Sequence, residues 1–129
     1  MRAADTNVLV RLVTQDDPAQ CARAVRFFEN HDVFIPKSAM LELEWVLRYS
    51  YTLDAATIAD AMLALLDTKR VTGEDENAVR EAVALLVEGM DFADALHLTS
   101  AASCSDLATF DKAFIKKARR LVPGRVAAL

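Results

Sequence analysis

Apolar and polar positions alternate along the chain in a way that predicts strands separated by helices. Short apolar runs rich in β-branched residues indicate four buried strands, at residues 3–13, 33–35, 71–72 and 107–110. Apolar residues at helical spacing indicate helices between them. These are predicted from Pro18 onward and over residues 38–51, 54–67, 75–88, 91–102 and 111–121.

Local signals support several of these helix ends. Asp54 and Asp91 stand where an N-cap is needed, and Ser38 is predicted to cap the helix that follows it. Pro18 suits a first helical turn and Gly89 a helix end. The stripe Ala22, Val25 and Phe28 is predicted to face the core. Strands alternating with helices predict an α/β fold, with a mostly parallel sheet and helices on both faces.

Composition favours one domain over residues 1–129. The chain is 53% hydrophobic and has three glycines and three prolines, with no linker-like stretch or repeat. No apolar run approaches the roughly 18 to 20 residues of a membrane span. Charges at Arg2 and Asp5 interrupt the region that a signal peptide would need to be apolar, so we expect a cytoplasmic protein that does not enter membranes. Cys21 and Cys104 lack metal-site spacing and are expected to be reduced packing residues.

The charge is unevenly distributed, which matters for a nucleic-acid partner. A net charge of −4 argues against phosphate binding, yet no acidic residue follows Asp111. The segment after it carries a basic patch, which is either an RNA-binding surface or an ordinary solvated helix face. The candidate RNA-binding residues are Lys112, Lys116, Lys117, Arg119 and Arg120.

Four acidic residues lie at strand ends or among apolar neighbours, where a charged side chain is either a helix or turn cap or a candidate ligand. Asp5 heads the first apolar run, where it is either a turn cap or a ligand. Glu42 has apolar neighbours on its helix, whereas Glu44 is expected to face solvent. Asp94 is surrounded by apolar residues. Asp111 directly follows a predicted strand, where it is either the cap of the next helix or a ligand, since α/β sheets build their sites at this position.

The neighbours of Asp94 extend this acidic group. Asp91 precedes Asp94 by one helical turn, and His97 follows by one turn. His97 is expected to be a hydrogen-bonded residue, either interior or supporting the site, rather than a metal ligand. Carboxylates gathered at one edge of a sheet would raise one another's pKa unless a divalent cation neutralised them. Oxygen ligands without clustered cysteine or histidine suit Mg²⁺ or Mn²⁺.

Four segments together resemble the PIN-domain family, and within it the VapC-type toxins of toxin–antitoxin pairs. They are DTNVLVRL at residues 5–12, AMLELEWVLR at 39–48, DFADALHL at 91–98 and TFDKAF at 109–114. Each segment is short and weak alone, but the four occur in order over nearly the whole chain.

The resemblance implies a Rossmann-like fold and a Mg²⁺- or Mn²⁺-dependent endoribonuclease. The catalytic, metal-binding acids of the family correspond by position to four residues of this chain, Asp5, Glu42, Asp94 and Asp111. Asn7, Asp91 and Thr109 match supporting positions. The resemblance also implies an RNA substrate and an antitoxin partner.

Two other functions remain open from the sequence. A non-catalytic PIN scaffold would have the fold without the chemistry. A receiver-like phosphorylation domain would also be a small α/β unit with bound Mg²⁺, but its acceptor would have to be Asp54, which has the position of a helix cap.

Two consecutive helices carry more apolar residues than one buried stripe requires. This surplus predicts a groove for an amphipathic partner segment, a homodimer interface, or filling of the domain's own core. The residues concerned are Trp45, Tyr49, Tyr51, Ile58, Met62 and Leu66.

Overall fold

The computed structural model describes residues 1–129 and contains five short strands and seven helices. The strands are β1 (Arg2–Ala3), β2 (Val33–Ile35), β3 (Val71–Gly73), β4 (Leu107–Thr109) and β5 (Val126–Ala128). The helices are α1 (Thr6–Thr14), α2 (Pro18–Asn30), α3 (Lys37–Tyr49), α4 (Ala55–Leu66), α5 (Glu76–Val87), α6 (Phe92–Ser100) and α7 (Lys112–Leu121). The chain divides into two compact units, Met1–Glu76 and Asn77–Leu129.

The first unit contains a three-stranded parallel sheet in the order β1-β2-β3. Arg2 pairs with Val33, and Ile35 pairs with Gly73. Parallel neighbours need crossover connections, which the helices between the strands provide. Buried apolar side chains come from every helix of this unit, among them Leu9, Phe28, Leu43, Leu47, Ile58 and Met62.

The second unit pairs β4 with β5, also in parallel, with α7 in the connection between them. Its helices bury apolar stripes at helical spacing. The buried residues of α5 recur every three or four positions, as they must to lie on one face of a helix. They include Val79, Ala82, Val83 and Leu86. Parallel strands and interspersed helices confirm the predicted α/β class. None of the helices is both long and apolar enough to cross a membrane.

The predicted strand over residues 3–13 is wrong. Only Arg2 and Ala3 form a strand, and α1 begins at Thr6 because the Asp5 carboxylate accepts a hydrogen bond from the Thr6 amide at 2.8 Å. Thr6, Leu9 and Val10 are buried at helical spacing. A short apolar run suits a strand or a helix equally, and the cap at Asp5 favours the helix.

Several smaller predictions also need correction. On α2 the buried residues are Ala24 and Phe28, whereas Ala22 and Val25 are exposed. The next helix begins at Lys37 with no side-chain cap, so Ser38 is not its N-cap. Strand β5 was not predicted, because three residues near the end of the chain give too short a pattern and β4 supplies its pairing.

The remaining element predictions agree with the structure. Asp54, Asp91 and Asp111 are N-caps, each accepting a hydrogen bond from the amide three residues later. Both cysteines are free thiols, as expected, although Cys104 is exposed and therefore not a packing residue.

Candidate active site

Asp5 and Glu42 lie on the wall of one depression in the first unit. Asp5 follows β1, and α3, which carries Glu42, follows β2 after Pro36. Because β1 and β2 are parallel neighbours, both connections leave the same edge of the sheet. The depression has a volume of about 260 Å³, and both carboxylates are exposed to solvent. Two of the four predicted acids are therefore brought together in this unit.

Glu44 is buried, so the prediction that it faces solvent is wrong. Its residue is 1% exposed, because Met40, Leu43 and Leu47 place it on the buried face of α3. Arg48, one turn later, donates two hydrogen bonds to its carboxylate, at 2.9 and 3.2 Å. This bidentate pair satisfies the buried charge, so Glu44 has a structural role. Glu42 is the acid of this helix that solvent and ligands reach.

In the second unit, the Asp94 carboxylate on α6 is subject to the charges of two further acids, Asp91 and Asp111. Asp91 caps this helix by accepting a hydrogen bond from the Asp94 amide at 3.1 Å. Burial raises the pKa of Asp94 above its usual value, and the charges of Asp91 and Asp111 raise that pKa further. The charge of His97 opposes the shift, and His97 is exposed, so it is not an interior residue and only the supporting role stays a prediction.

Asp111 and Thr109 form a local arrangement at the end of β4. Thr109 is the last residue of the strand, and its hydroxyl oxygen accepts a hydrogen bond from the Asp111 amide at 3.0 Å. The Asp111 carboxylate in turn accepts from the Phe114 amide at 3.0 Å and caps α7. The Thr109 hydroxyl thus holds the backbone at Asp111 and thereby orients the Asp111 carboxylate. This agrees with a supporting role for Thr109.

The donor chemistry of these residues fits a hard divalent cation. All the candidate ligands are carboxylate oxygens, and Asp94 is a partly desolvated acid beside two further negative charges. A bound cation would offset that repulsion. Neither unit by itself gathers three or more histidine, cysteine, aspartate or glutamate side chains in positions that could hold a metal ion. The site of four carboxylates therefore stays a prediction.

The basic residues after Asp111 line one surface depression in the second unit. It has a volume of about 880 Å³ and is formed by α7 and the end of β5. All five candidate RNA-binding residues line it, and none of them forms a salt bridge. Arg125, by contrast, is paired with Glu81. We call this surface the basic depression; it is lined by Lys112, Lys116, Lys117, Arg119 and Arg120.

Sequence reasoning missed a second depression beside Asp5. It is lined by Asp5 and Asn7 and by three arginines that belong to different elements. No spacing in the sequence connects Arg2, Arg11 and Arg23, so only folding could bring them together.

Comparison with known proteins identifies the family. The family model described as the PIN domain matches residues 3–120, which is nearly the whole chain and includes both units. A search of curated proteins found no match. PIN-domain proteins are generally nucleases that use divalent metal ions, and their fold is the Rossmann-like α/β arrangement with parallel strands. With the family model covering this much of the sequence, the chain belongs to the PIN-domain family.

Proposed function

We propose that this chain is a Mg²⁺- or Mn²⁺-dependent endoribonuclease, a single nuclease domain whose metal-binding acids are Asp5, Glu42, Asp94 and Asp111. The observation that carries the proposal is geometric: Asp5 and Glu42 follow two parallel neighbouring strands and line one depression. The pKa of Asp94, raised by burial and by Asp91 and Asp111, supports it, because perturbed pKa values are frequent at functional sites. Membership of a family of nucleases supplies the reaction class.

A bound divalent cation would lower the pKa of an attacking water and stabilise the charge that develops on the phosphate. The side chains then have distinct tasks. Asp5, Glu42, Asp94 and Asp111 supply oxygen ligands. Asp91 holds the first turn of α6, which carries Asp94, and Thr109 holds the backbone at Asp111. Asn7 is exposed in the first turn of α1 and lines a depression with Asp5, which supports a role in contacting substrate.

The direct test is cleavage of a mixed pool of transfer and ribosomal RNA. The purified chain is incubated with the pool with Mn²⁺, with Mg²⁺ and with EDTA, and new RNA ends are mapped. New internal ends that depend on metal support the proposal. An RNA pool left intact at saturating metal would favour a non-catalytic PIN scaffold instead. The receiver-like alternative is wrong, because the chain belongs to the PIN family and Asp54 is the cap of α4.

Metal binding should also be visible as thermal stabilisation. A ligand that binds only the folded state at 100 times its Kd stabilises that state by about 2.7 kcal/mol. For a chain of this size we expect Mn²⁺ to raise the Tm by roughly 5 to 15 °C. Calorimetry of the wild type and of Asp94→Asn, each with Mn²⁺ and with EDTA, measures the difference. An equal metal-induced shift in both proteins would mean that Asp94 is not a ligand.

The basic depression is the proposed contact surface for the RNA backbone. Reversing Lys116 and Lys117 to glutamate should weaken RNA binding and flatten its dependence on salt, because each lost phosphate contact lowers the slope of log K against log salt by about 0.7 for a single strand. Fluorescence anisotropy in EDTA measures both quantities. The double variant Arg26→Glu, Lys69→Glu makes the same change in net charge on α2 and after α4, outside this surface. If both double variants lower the slope equally, the basic depression has no specific role.

We further propose that the nuclease is the VapC-type toxin of a toxin–antitoxin pair and forms a homodimer in the cytoplasm. An uncontrolled ribonuclease would attack its host's RNA, so an inhibitory partner is expected. Of the six surplus apolar residues, Ile58, Met62 and Leu66 are buried and belong to the core. Tyr51 is half-buried, and its hydroxyl donates to Asp16. The three buried residues therefore fill the domain's own core, one of the predicted alternatives, and do not line a groove.

Trp45 and Tyr49 remain as the docking candidates on α3. They are 56% and 59% exposed, and their ring centroids lie 5.0 Å apart. Exposed aromatic pairs are typical of interface anchors. The double variant Trp45→Ala, Tyr49→Ala should shift the mass measured by light scattering from dimer to monomer, or abolish inhibition by the product of a neighbouring gene. A chain that is monomeric and that no neighbouring gene product inhibits would contradict both parts of this proposal.

A further inference from the structure

Three arginine side chains line a depression that has Asp5 in common with the depression lined by Asp5 and Glu42. Arg2 comes from β1, Arg11 from α1 and Arg23 from α2, and the volume is about 450 Å³. Asp5 is the only carboxylate among the lining residues. The whole depression lies in the first unit. We call it the arginine depression.

Two of the three guanidinium groups are held by neighbouring side chains. Arg2 lies 5.0 Å from the centre of the Phe27 ring and 3.3 Å from Nε2 of His31. Arg11 donates to Gln20 at 2.7 Å and to Asp16 at 2.9 Å. Holding a long side chain in place before a ligand arrives lowers the entropy cost of binding.

The charges in this depression are only partly balanced. Asp16 neutralises Arg11 through a salt bridge. Neither Arg2 nor Arg23 forms a salt bridge, and Arg23 is exposed on α2. Two cationic groups are thus available for an anion, on a protein whose net charge is −4. Planar guanidinium groups match the geometry of phosphate oxygens better than lysine does.

We propose that the arginine depression binds RNA phosphates that neighbour the cleaved phosphate on the same strand. This inference rests on the proposed function. Asp5 is on the wall of both depressions, so a strand whose reactive phosphate lies at Asp5 has its neighbouring phosphates within reach of Arg2 and Arg23. Val8, Ala24 and Phe27 supply an apolar part of the wall, against which a sugar or base can pack. Arg2 and Arg23 then position the substrate.

The test compares Arg23→Ala and Arg2→Ala with Arg26→Ala. Arg26 is an exposed arginine one turn along the same helix that does not line the depression. The probe is a short fluorescein-labelled single-stranded RNA, titrated in EDTA so that no cleavage occurs. We expect Arg23→Ala to weaken binding roughly tenfold, as for one lost charged hydrogen bond. We also expect the slope of log K against log salt to fall by about 0.7 for each arginine removed. Arg26→Ala should bind like the wild type.

A cleavage assay with metal supplies the second measurement. Arg23→Ala should raise KM and leave kcat nearly unchanged, because the contact is made equally in the ground and transition states. Arg23→Lys should recover part of the affinity by restoring the charge without the planar geometry. Unchanged affinity, slope and KM in both alanine variants would overturn the inference.

The outcomes separate this inference from the proposed function. If the wild type cleaves RNA and the arginine variants behave like Arg26→Ala, only the arginine depression loses its role. If the wild type neither binds nor cleaves RNA, both proposals fail. Should Arg2→Ala unfold because it loses its contacts with Phe27 and His31, Arg23→Ala still decides, since the Arg23 side chain is exposed.

Discussion

Asp94→Asn is expected to lower RNA cleavage by at least about 100-fold while the fold stays intact. Loss of a residue that only orients a metal ligand costs 10- to 100-fold in many metal sites, so loss of a ligand's own charge should cost more. The amide keeps the shape of the side chain. Rates are measured with saturating Mn²⁺ on an RNA for which the cleavage position has been mapped. Asp5→Asn is expected to have the same effect.

Asp60→Asn is the matched control for this prediction. Asp60 is an exposed acid on α4 that does not line the depression of Asp5 and Glu42, and its change should leave the rate unaltered. Full activity of Asp94→Asn would remove this residue from the proposed site. Equal losses in Asp94→Asn and Asp60→Asn would point to a general effect of charge.

The pH dependence of stability gives an independent check on Asp94. Its folded-state pKa is raised above 3.8, chiefly by burial, so ionising it costs more in the folded than in the unfolded chain. Its contribution therefore destabilises the fold as the pH rises above about 4, and it vanishes at lower pH where both states are protonated. In EDTA, Asp94→Asn should be more stable than the wild type at neutral pH and equally stable in acid. A constant difference at all pH values would contradict this.

Arg48→Ala is expected to destabilise the fold by about 3 kcal/mol. Removing one partner of a buried ion pair typically costs about 3 to 5 kcal/mol, because the other charge remains buried and unpaired. Glu44 is that charge, with its side chain 2% exposed. The Arg48 side chain is 38% exposed, so water can partly replace it and the lower end of the range applies. Urea unfolding followed by circular dichroism measures the change.

A second substitution separates the buried charge from the other contacts of Arg48. Arg48 also lies 4.6 Å from the centre of the Tyr49 ring, and losing that contact costs some stability by itself. Adding Glu44→Gln to Arg48→Ala should recover part of the loss, since a neutral amide is less costly to bury than a carboxylate. A loss below about 1 kcal/mol, or no recovery in the double variant, would show that Glu44 is not stabilised by this pair.

Local patterns in the sequence were enough to predict the α/β class and most helix boundaries. Caps at Asp54, Asp91 and Asp111 were predictable because their hydrogen bonds reach only three residues along the chain. The closeness of Asp94 to the charge of Asp91 was predictable for the same reason, since one helical turn separates them. The resemblance of four segments to the PIN family led to the same family that the family model matches.

Tertiary structure decided what depends on which face of a helix is buried and on contacts distant in sequence. Val8 to Val10 suit a strand or a helix, and only the folded chain shows α1 burying Leu9 and Val10. Glu42 and Glu44 are both flanked by apolar residues, and the packing of α3 alone decides that Glu44 is the buried one. The arginine depression is assembled from three elements, so its residues share no local pattern. Sequence periodicity reports short-range geometry, whereas a surface built by several elements exists only after the strands have paired.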